Sequence, residues 1–365
     1  MKIQRSQSRR LNELRNFGNN PGNLKAFIYQ PRNPLPLAPL VVVLHGCTQN
    51  ADGYDRGSGW SRLADEEGFL LLYPEQQRAN NQNLCFNWFQ PEDTRRGTGE
   101  ALSIYQMIIA MVAAGQIDPA KIFVTGLSAG GAMSAVMLAT YPEIFAGGAV
   151  IGGLPYGCAA TVTAAFEQMQ GKRVSPPDEL KRVVRNASEH DGPWPTLSVW
   201  HGTHDHTVKP RNGDQIVEQW RRIHALQKAP AIKNVNGNKR KIWVDSAGRE
   251  VLEQFEIAGM AHGVPLATRG ERGLGVEGPF MLETGISSTR EIARFWQILQ
   301  HDGRDEVESL RVHNSGGGFD GEIILPGAVV EVRSPSGKEG PESQPNSSSI
   351  ARTIYNALKA AGLVR

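Results

Sequence analysis

Val124-Thr125-Gly126-Leu127-Ser128-Ala129-Gly130-Gly131 couples the apolar run Lys121-Ile122-Phe123-Val124 to a small-residue stretch of helical period, Ala132-Met133-Ser134-Ala135-Val136-Met137-Leu138. Read as strand, Gly-x-Ser-x-Gly turn and helix, this is the order of a nucleophile elbow, where a serine on a strained turn projects its hydroxyl above the carboxyl end of a sheet. Gly126 and Gly130 suit that geometry, because a side chain at either position would crowd the approach of helix to strand. The helix start aims backbone N–H groups and a partial positive charge at the same point, which favours a developing oxyanion. In a chain with 40 glycines a bare Gly-x-Ser-x-Gly also arises by chance, as an ordinary strand-to-helix turn. The flanking patterns give this one its weight.

On the amino-terminal side, 24–29 reads as an early strand and Pro39-Leu40-Val41-Val42-Val43-Leu44 as a central strand buried on both faces. A helix around 60–67, an apolar run at 69–74 and a helix at 99–112 complete that half. Between the last two, 76–98 is polar and irregular; the aromatics of Cys85-Phe86-Asn87-Trp88-Phe89 either anchor the loop or line a substrate mouth. Beyond the elbow come a strand at 149–151, an off-sheet segment at 154–194 with a helix at 161–169, and a strand at 196–200. A helix at 215–226, a hairpin of 241–244 with 251–257 and an amphipathic helix at 289–299 follow. Strands alternating with helices predict an α/β fold, its mainly parallel central sheet covered by helices on both faces. The expected organisation is an N-terminal arm at 1–23, a catalytic domain at 24–301 with 154–194 as a candidate lid, and a C-terminal extension at 302–365. That extension is rich in serine, glycine and proline before a short helix at 350–363.

With 365 residues the chain can bury one large core or two modest ones, and a net charge of +2 with dispersed basic residues argues against nucleic acid as a partner. No apolar run is long enough to span a bilayer, so no membrane partner is expected. Met1-Lys2-Ile3-Gln4-Arg5 is basic but leads into no apolar block, so a secretory signal is not expected. Cys47, Cys85 and Cys158 lack zinc-ligand spacing. Cys47 and Cys85 both follow strands, and both a bridge in an oxidising compartment and free thiols in a reducing one fit the sequence.

Ser128 needs a base and an acid that orients the base. Downstream, His262 stands in a glycine-flanked loop after a strand, whereas His224 falls inside a helix pattern and His301 and His313 fall in or near the tail. Asp205 lies at the end of the 196–200 strand; Asp214 begins a helix and Asp245 belongs to the hairpin. The order Ser128, Asp205, His262 is that of an α/β-hydrolase triad. The oxyanion hole should then use the backbone N–H of Ala129 and one from His45-Gly46-Cys47, assigned to Cys47. Two rivals belong to other classes: a metal-dependent hydrolase built on His201, His204 and His206, and a non-enzymatic binding module. Because Asp205 alternates away from His204 and His206, a closed metal site is disfavoured, and no metal or cofactor is expected.

Five segments together resemble the poly(3-hydroxybutyrate) depolymerase family of esterases: Leu44-His45-Gly46-Cys47-Thr48-Gln49, Cys85-Phe86-Asn87-Trp88, Gly126 to Gly131, Trp200-His201-Gly202 with Asp205, and Gly259-Met260-Ala261-His262-Gly263. Feruloyl and acetyl xylan esterases are similar by pattern. The resemblance spans about 11–299 and implies an α/β-hydrolase fold, no cofactor, and hydrolysis of short-chain hydroxyalkanoate esters through an acyl-enzyme. It carries nucleophile, acid and base to Ser128, Asp205 and His262, and oxyanion donation to Cys47 and Ala129. His45, Trp88 and Tyr156 are expected to contact substrate. Secreted members that attack crystalline polymer carry a signal and a polymer-binding domain; neither is read here, so soluble oligomers, amorphous polymer or unrelated small esters are expected substrates rather than crystalline granules, and the cytoplasm stays open beside the extracellular space.

Overall fold

The structure, a computed structural model, describes residues 10–300; the expected extension at 302–365 and its terminal helix lie outside the described residues. Ten of the described strands form one sheet. In chain order they are β1 (Asn12–Glu13), β2 (Lys25–Tyr29), β3 (Ala38–Leu44), β4 (Leu70–Glu75), β5 (Ile117–Leu127), β6 (Gly147–Ile151), β7 (Thr196–Gly202), β8 (Ala231–Val235), β9 (Asn238–Val244) and β10 (Glu250–Ile257). Their spatial order is β1-β2-β4-β3-β5-β6-β7-β10-β9-β8. The six central strands, β4 to β10 in that order, run parallel, and antiparallel pairs close both edges. A separate parallel pair joins β11 (Val264–Leu266) to β12 (Met281–Glu283).

The continuous apolar run in β3 has the cause expected of a strand covered on both sides. Leu40, Val42 and Leu44 enter one core with Val124 and Met133, while Val41 and Val43 enter the other with Trp60, Trp200 and Phe255. Helices supply the covering layers: α1 (Ala51–Ser58), α2 (Trp60–Glu67), α3 (Pro91–Thr94), α4 (Gly99–Ala113), α5 (Ala129–Thr140), α6 (Val162–Met169), α7 (Pro177–Arg185), α8 (Arg211–Ile223) and α9 (Ser288–Phe295). Every residue of α5 is buried, which explains its small-residue composition.

Several elements escape the sequence pattern. Helix α1 holds two glycines and little apolar periodicity; Asn50 caps it by accepting from Gly53 N–H. Gly57 is needed there because a Cβ would lie 2.7 Å from Met281 Cγ. Strand β8 is an exposed edge strand with no apolar alternation to betray it. Residues 12–13 of the expected arm form β1 against β2. Within 154–194, α7 opens on Pro177, with acidic residues in its first turn and arginines in its last. This segment packs on α8: Gln219 Nε2 donates to Tyr156 O and Leu180 O, and Gln168 Nε2 donates to Asn212 Oδ1 at 2.8 Å.

Candidate active site

The carboxyl ends of parallel strands collect the residues of interest: β3 leads into His45-Gly46-Cys47, β5 into Ser128, β7 into Asp205 and β10 into His262. Ser128 has φ 57° and ψ −118°, a conformation rare for a residue with a side chain and one that a nucleophile elbow imposes. The turn is held because Ser128 N–H donates to Ile151 O at 2.9 Å, and α5 begins at once behind it. Close packing explains the flanking glycines: a Cβ on Gly126 would lie 2.5 Å from the Gly130 carbonyl, and one on Gly130 would lie 2.3 Å from Leu44 O.

His262 and Asp205 meet at 2.6 Å, Nδ1 to Oδ2, with both side chains buried. Asp205 Oδ1 accepts from the amides of Thr207 and Val208, at 2.9 Å each. Burial alone would raise the Asp205 carboxyl, but attraction to His262 and His201 and their hydrogen bonds outweigh it and hold the group well below the usual carboxylate range. An ionised acceptor at Oδ2 places the imidazole proton on Nδ1 and leaves Nε2 as an acceptor. That Nε2 is buried and has no hydrogen-bond partner among the described residues.

Ser128 and His262 line one cavity of about 10 Å³ with Gly46, Cys47, Gln49, Leu127 and Phe280. Such a space admits about one oxygen atom or water. No hydrogen bond joins Ser128 to His262 in this state, and apo geometry of this kind commonly tightens in a substrate complex. The amides of Cys47 and Ala129 donate to no acceptor among the described residues, whereas the neighbouring amides of Gly46, Thr48 and Ser128 are all engaged. Gln49 and Phe280 also line an adjoining groove of about 500 Å³, between α1 and the 276–281 segment. Phe280 sits edge-on to His262, ring centroids 6.1 Å apart, at φ 63°.

The other sequence-stretch candidates lie around this centre in different ways. His45 is buried beneath the loop: its Nδ1 meets Gly46 O at 2.7 Å and its Nε2 accepts from Gln76 N at 3.1 Å, so both nitrogens face backbone. Burial pushes the His45 imidazole down to about 4, so it is neutral. Trp88 is buried with Ala129, Ala132, Leu154 and Cys158, against the first turn of α5. Tyr156 is half-buried near α8 and is absent from the cavity lining. Cys47 and Cys85 are bridged, so the oxyanion-loop candidate is tied to the 76–98 loop. Of the histidines proposed for a metal, His201 is buried with Nε2 2.7 Å from Val208 O, while His204 and His206 are exposed beside Thr203 and Lys209. No group of three or more His, Cys, Asp or Glu able to hold a metal ion is found among the described residues. Phe280 carries no signal beyond its place in the chain; only the fold brings it to His262.

Parallel sheet, elbow serine and an acid–histidine pair at the strand ends define an α/β-hydrolase. The fold is shared with the acetyl xylan esterase from Aspergillus awamori, at TM-score 0.67 and 24% identity, covering 79% of this chain and 99% of that one. A sequence profile of the family described as Esterase PHB depolymerase matches residues 24–242, and the chain belongs to that family as a carboxylic ester hydrolase. It is 43% identical over 292 residues to a poly(3-hydroxyalkanoate) depolymerase C of Paucimonas lemoignei, covering 79% of this chain and 70% of that protein. An acetylxylan esterase of Coprinopsis cinerea is 33% identical, covering 70% of this chain and 69% of its own. A feruloyl esterase B of Talaromyces stipitatus is 31% identical, covering 70% and 72%. No helix among the described residues is long and apolar enough to cross a membrane.

Proposed function

We propose that this chain is a serine carboxylesterase that cleaves short-chain hydroxyalkanoate esters and oligomers through an acyl-enzyme. The observation that carries the mechanism is the buried 2.6 Å Asp205–His262 pair: His262, its Nε2 without a hydrogen-bond partner among the described residues, lines the same cavity as the elbow serine. Ser128 Oγ attacks the ester carbonyl carbon while its proton passes to His262 Nε2. The carbonyl oxygen becomes an oxyanion, held by the N–H groups of Cys47 and Ala129. Collapse breaks the bond to the alcohol oxygen, which takes the proton from His262, and leaves the acyl group on Ser128. Water then attacks that acyl group by the same route, releasing the acid and restoring the serine.

For the substrate, the supporting observation is the 43% identity to a poly(3-hydroxyalkanoate) depolymerase, against 33% and 31% for the acetylxylan and feruloyl esterases. A groove of about 500 Å³ beside the His262 end of the cavity offers room for ester units beyond the scissile bond. Turnover of 3-hydroxybutyrate dimer and trimer, acetylated xylo-oligosaccharide and methyl ferulate, compared as kcat/KM, tests the assignment. The hydroxybutyrate oligomers should lead by at least tenfold; a lead for either plant-wall ester would transfer the assignment to that class.

A further inference from the structure

The peptide unit that presents the Cys47 N–H has its carbonyl on Gly46, and that carbonyl is where His45 Nδ1 bonds, at 2.7 Å. His45 is fixed in turn, because Gln76 N–H donates into its Nε2 at 3.1 Å and its ring packs against Phe86, centroids 5.0 Å apart. An occupied Nε2 acceptor forces the proton onto Nδ1, so the bond to Gly46 O has one direction only. On the other side of the loop, the Cys47–Cys85 bridge leads to the Cys85 carbonyl, which accepts from Gln76 Nε2 at 3.0 Å. Gly46, Cys47, Cys85, Gln76 and His45 thus form a closed ring of covalent and hydrogen bonds around one amide. Glu100, at the start of α4, closes the ring from behind: Oε1 accepts from Gln76 Nε2 at 2.5 Å and Oε2 from Asn87 N at 2.9 Å. Both Glu100 and Gln76 are buried, and neither lines the cavity that holds Ser128.

We propose that Gln76 and Glu100 are positioning residues for the oxyanion, holding the Gly46–Cys47 peptide plane through His45 on one side and the Cys85 bridge on the other. The proposal rests on the oxyanion role given to Cys47 above. Both buried side chains bond only to one another and to the 76–98 loop, at Cys85 O, Asn87 N, Gln77 N and Asn80 Nδ2, a costly arrangement where apolar residues would fill the space without desolvation. A backbone donor is useful only when its direction is fixed before charge develops, and this ring supplies that preorganisation.

Glu100→Gln is the direct test. With Glu100 ionised, at a pH above about 8, both carboxyl oxygens accept, whereas an amide has one acceptor oxygen, so either Gln76 Nε2 or Asn87 N loses its bond to residue 100 and the ring slackens. The expected result is a kcat lowered ~10–100-fold with KM within about twofold, less than the ~10²–10³ for deleting a donor outright. Affinity for a trifluoromethyl ketone, whose adduct on Ser128 carries an oxyanion, should fall by the same factor as kcat, while a non-reactive ketone of the same shape binds unchanged. Gln76→Met, which keeps the backbone bond to His45, serves if thermal unfolding shows the first variant misfolded, and should behave alike. A folded variant with wild-type kcat, or one whose loss lies in KM with full affinity for the trifluoromethyl ketone, overturns the proposal. Ser128→Ala separates the two levels: if it still turns over ester, the triad reading itself fails, whereas a dead Ser128→Ala beside a wild-type Glu100→Gln removes only the positioning role.

Discussion

Replacing Asp205 by Asn exchanges one oxygen for an NH2 group and leaves the shape of the site intact. Oδ1 already accepts from the amides of Thr207 and Val208, so the asparagine oxygen keeps those two bonds and its nitrogen takes the place of Oδ2, 2.6 Å from His262 Nδ1. A donor in that position turns Nδ1 into the acceptor and moves the imidazole proton to Nε2, the atom that must receive the proton of Ser128. The base is therefore occupied before the reaction begins. The same exchange in a serine protease triad lowers kcat ~10⁴-fold, about 5.5 kcal/mol of transition-state stabilisation, and a loss of that order is expected here. It should fall on kcat and leave KM nearly unchanged, because the cavity lining does not include Asp205. Steady-state kinetics on p-nitrophenyl butyrate, with thermal unfolding to show the variant folded, measures both. A folded Asp205→Asn within tenfold of wild type, or one that changes KM alone, would refute the reasoning.

Stability should stay nearly flat from about pH 4.5 to 6.5 and fall from there to about pH 8, read from urea midpoints. Burial raises Glu100 from 4.5 to about 8 and Glu253 to about 7, so the unfolded chain releases protons first and the fold weakens as pH rises through that window. Burial lowers His45 and His224 from 6.5 to about 4, so their contribution grows with pH only up to 6.5 and offsets the carboxyl losses below that point. Glu100→Gln should flatten the fall near pH 8, and a stability that climbs between pH 6.5 and 8 would contradict this. Removing the Cys47–Cys85 bridge by a double Ala substitution frees a loop with a sequence separation of 38, worth about 4 kcal/mol by chain entropy, and should lower Tm by several degrees; an unchanged Tm would count against it. Gly130→Ala places a Cβ 2.3 Å from Leu44 O at the elbow and should cost about 3 kcal/mol in denaturant unfolding, whereas a neutral effect would mean the elbow backbone yields.

The parallel core was legible because burial on both faces writes long apolar runs, as in β3, and because Gly126, Ser128 and Gly130 stand between an apolar strand and a small-residue helix, the setting that an elbow demands. Asp205 and His262 were legible from chain order and strand ends, and the structure brings them within hydrogen-bond distance. Helix α1 was not, since its Gly57 serves packing against Met281 rather than helix propensity. Edge strand β8 carries no buried face to pattern it. His45 shows the limit most clearly: its place beside Gly46 and Cys47 suggested contact with substrate, yet its ring nitrogens are directed to the carbonyl of Gly46 and the amide of Gln76, and only three-dimensional neighbours such as Gln76 and Glu100 reveal why. The bridge from Cys47 to Cys85 was likewise one of two options until the loops were placed side by side.

The proposed ester cleavage depends above all on a covalent bond to Ser128 Oγ. Mass spectrometry of the chain after reaction with a fluorophosphonate, followed by peptide mapping, reads that bond directly. One adduct per chain on the peptide containing Ser128, with activity lost in step and no labelling of Ser128→Ala, is the expected result. Full esterase activity in a stoichiometrically labelled protein, or in Ser128→Ala itself, would contradict it.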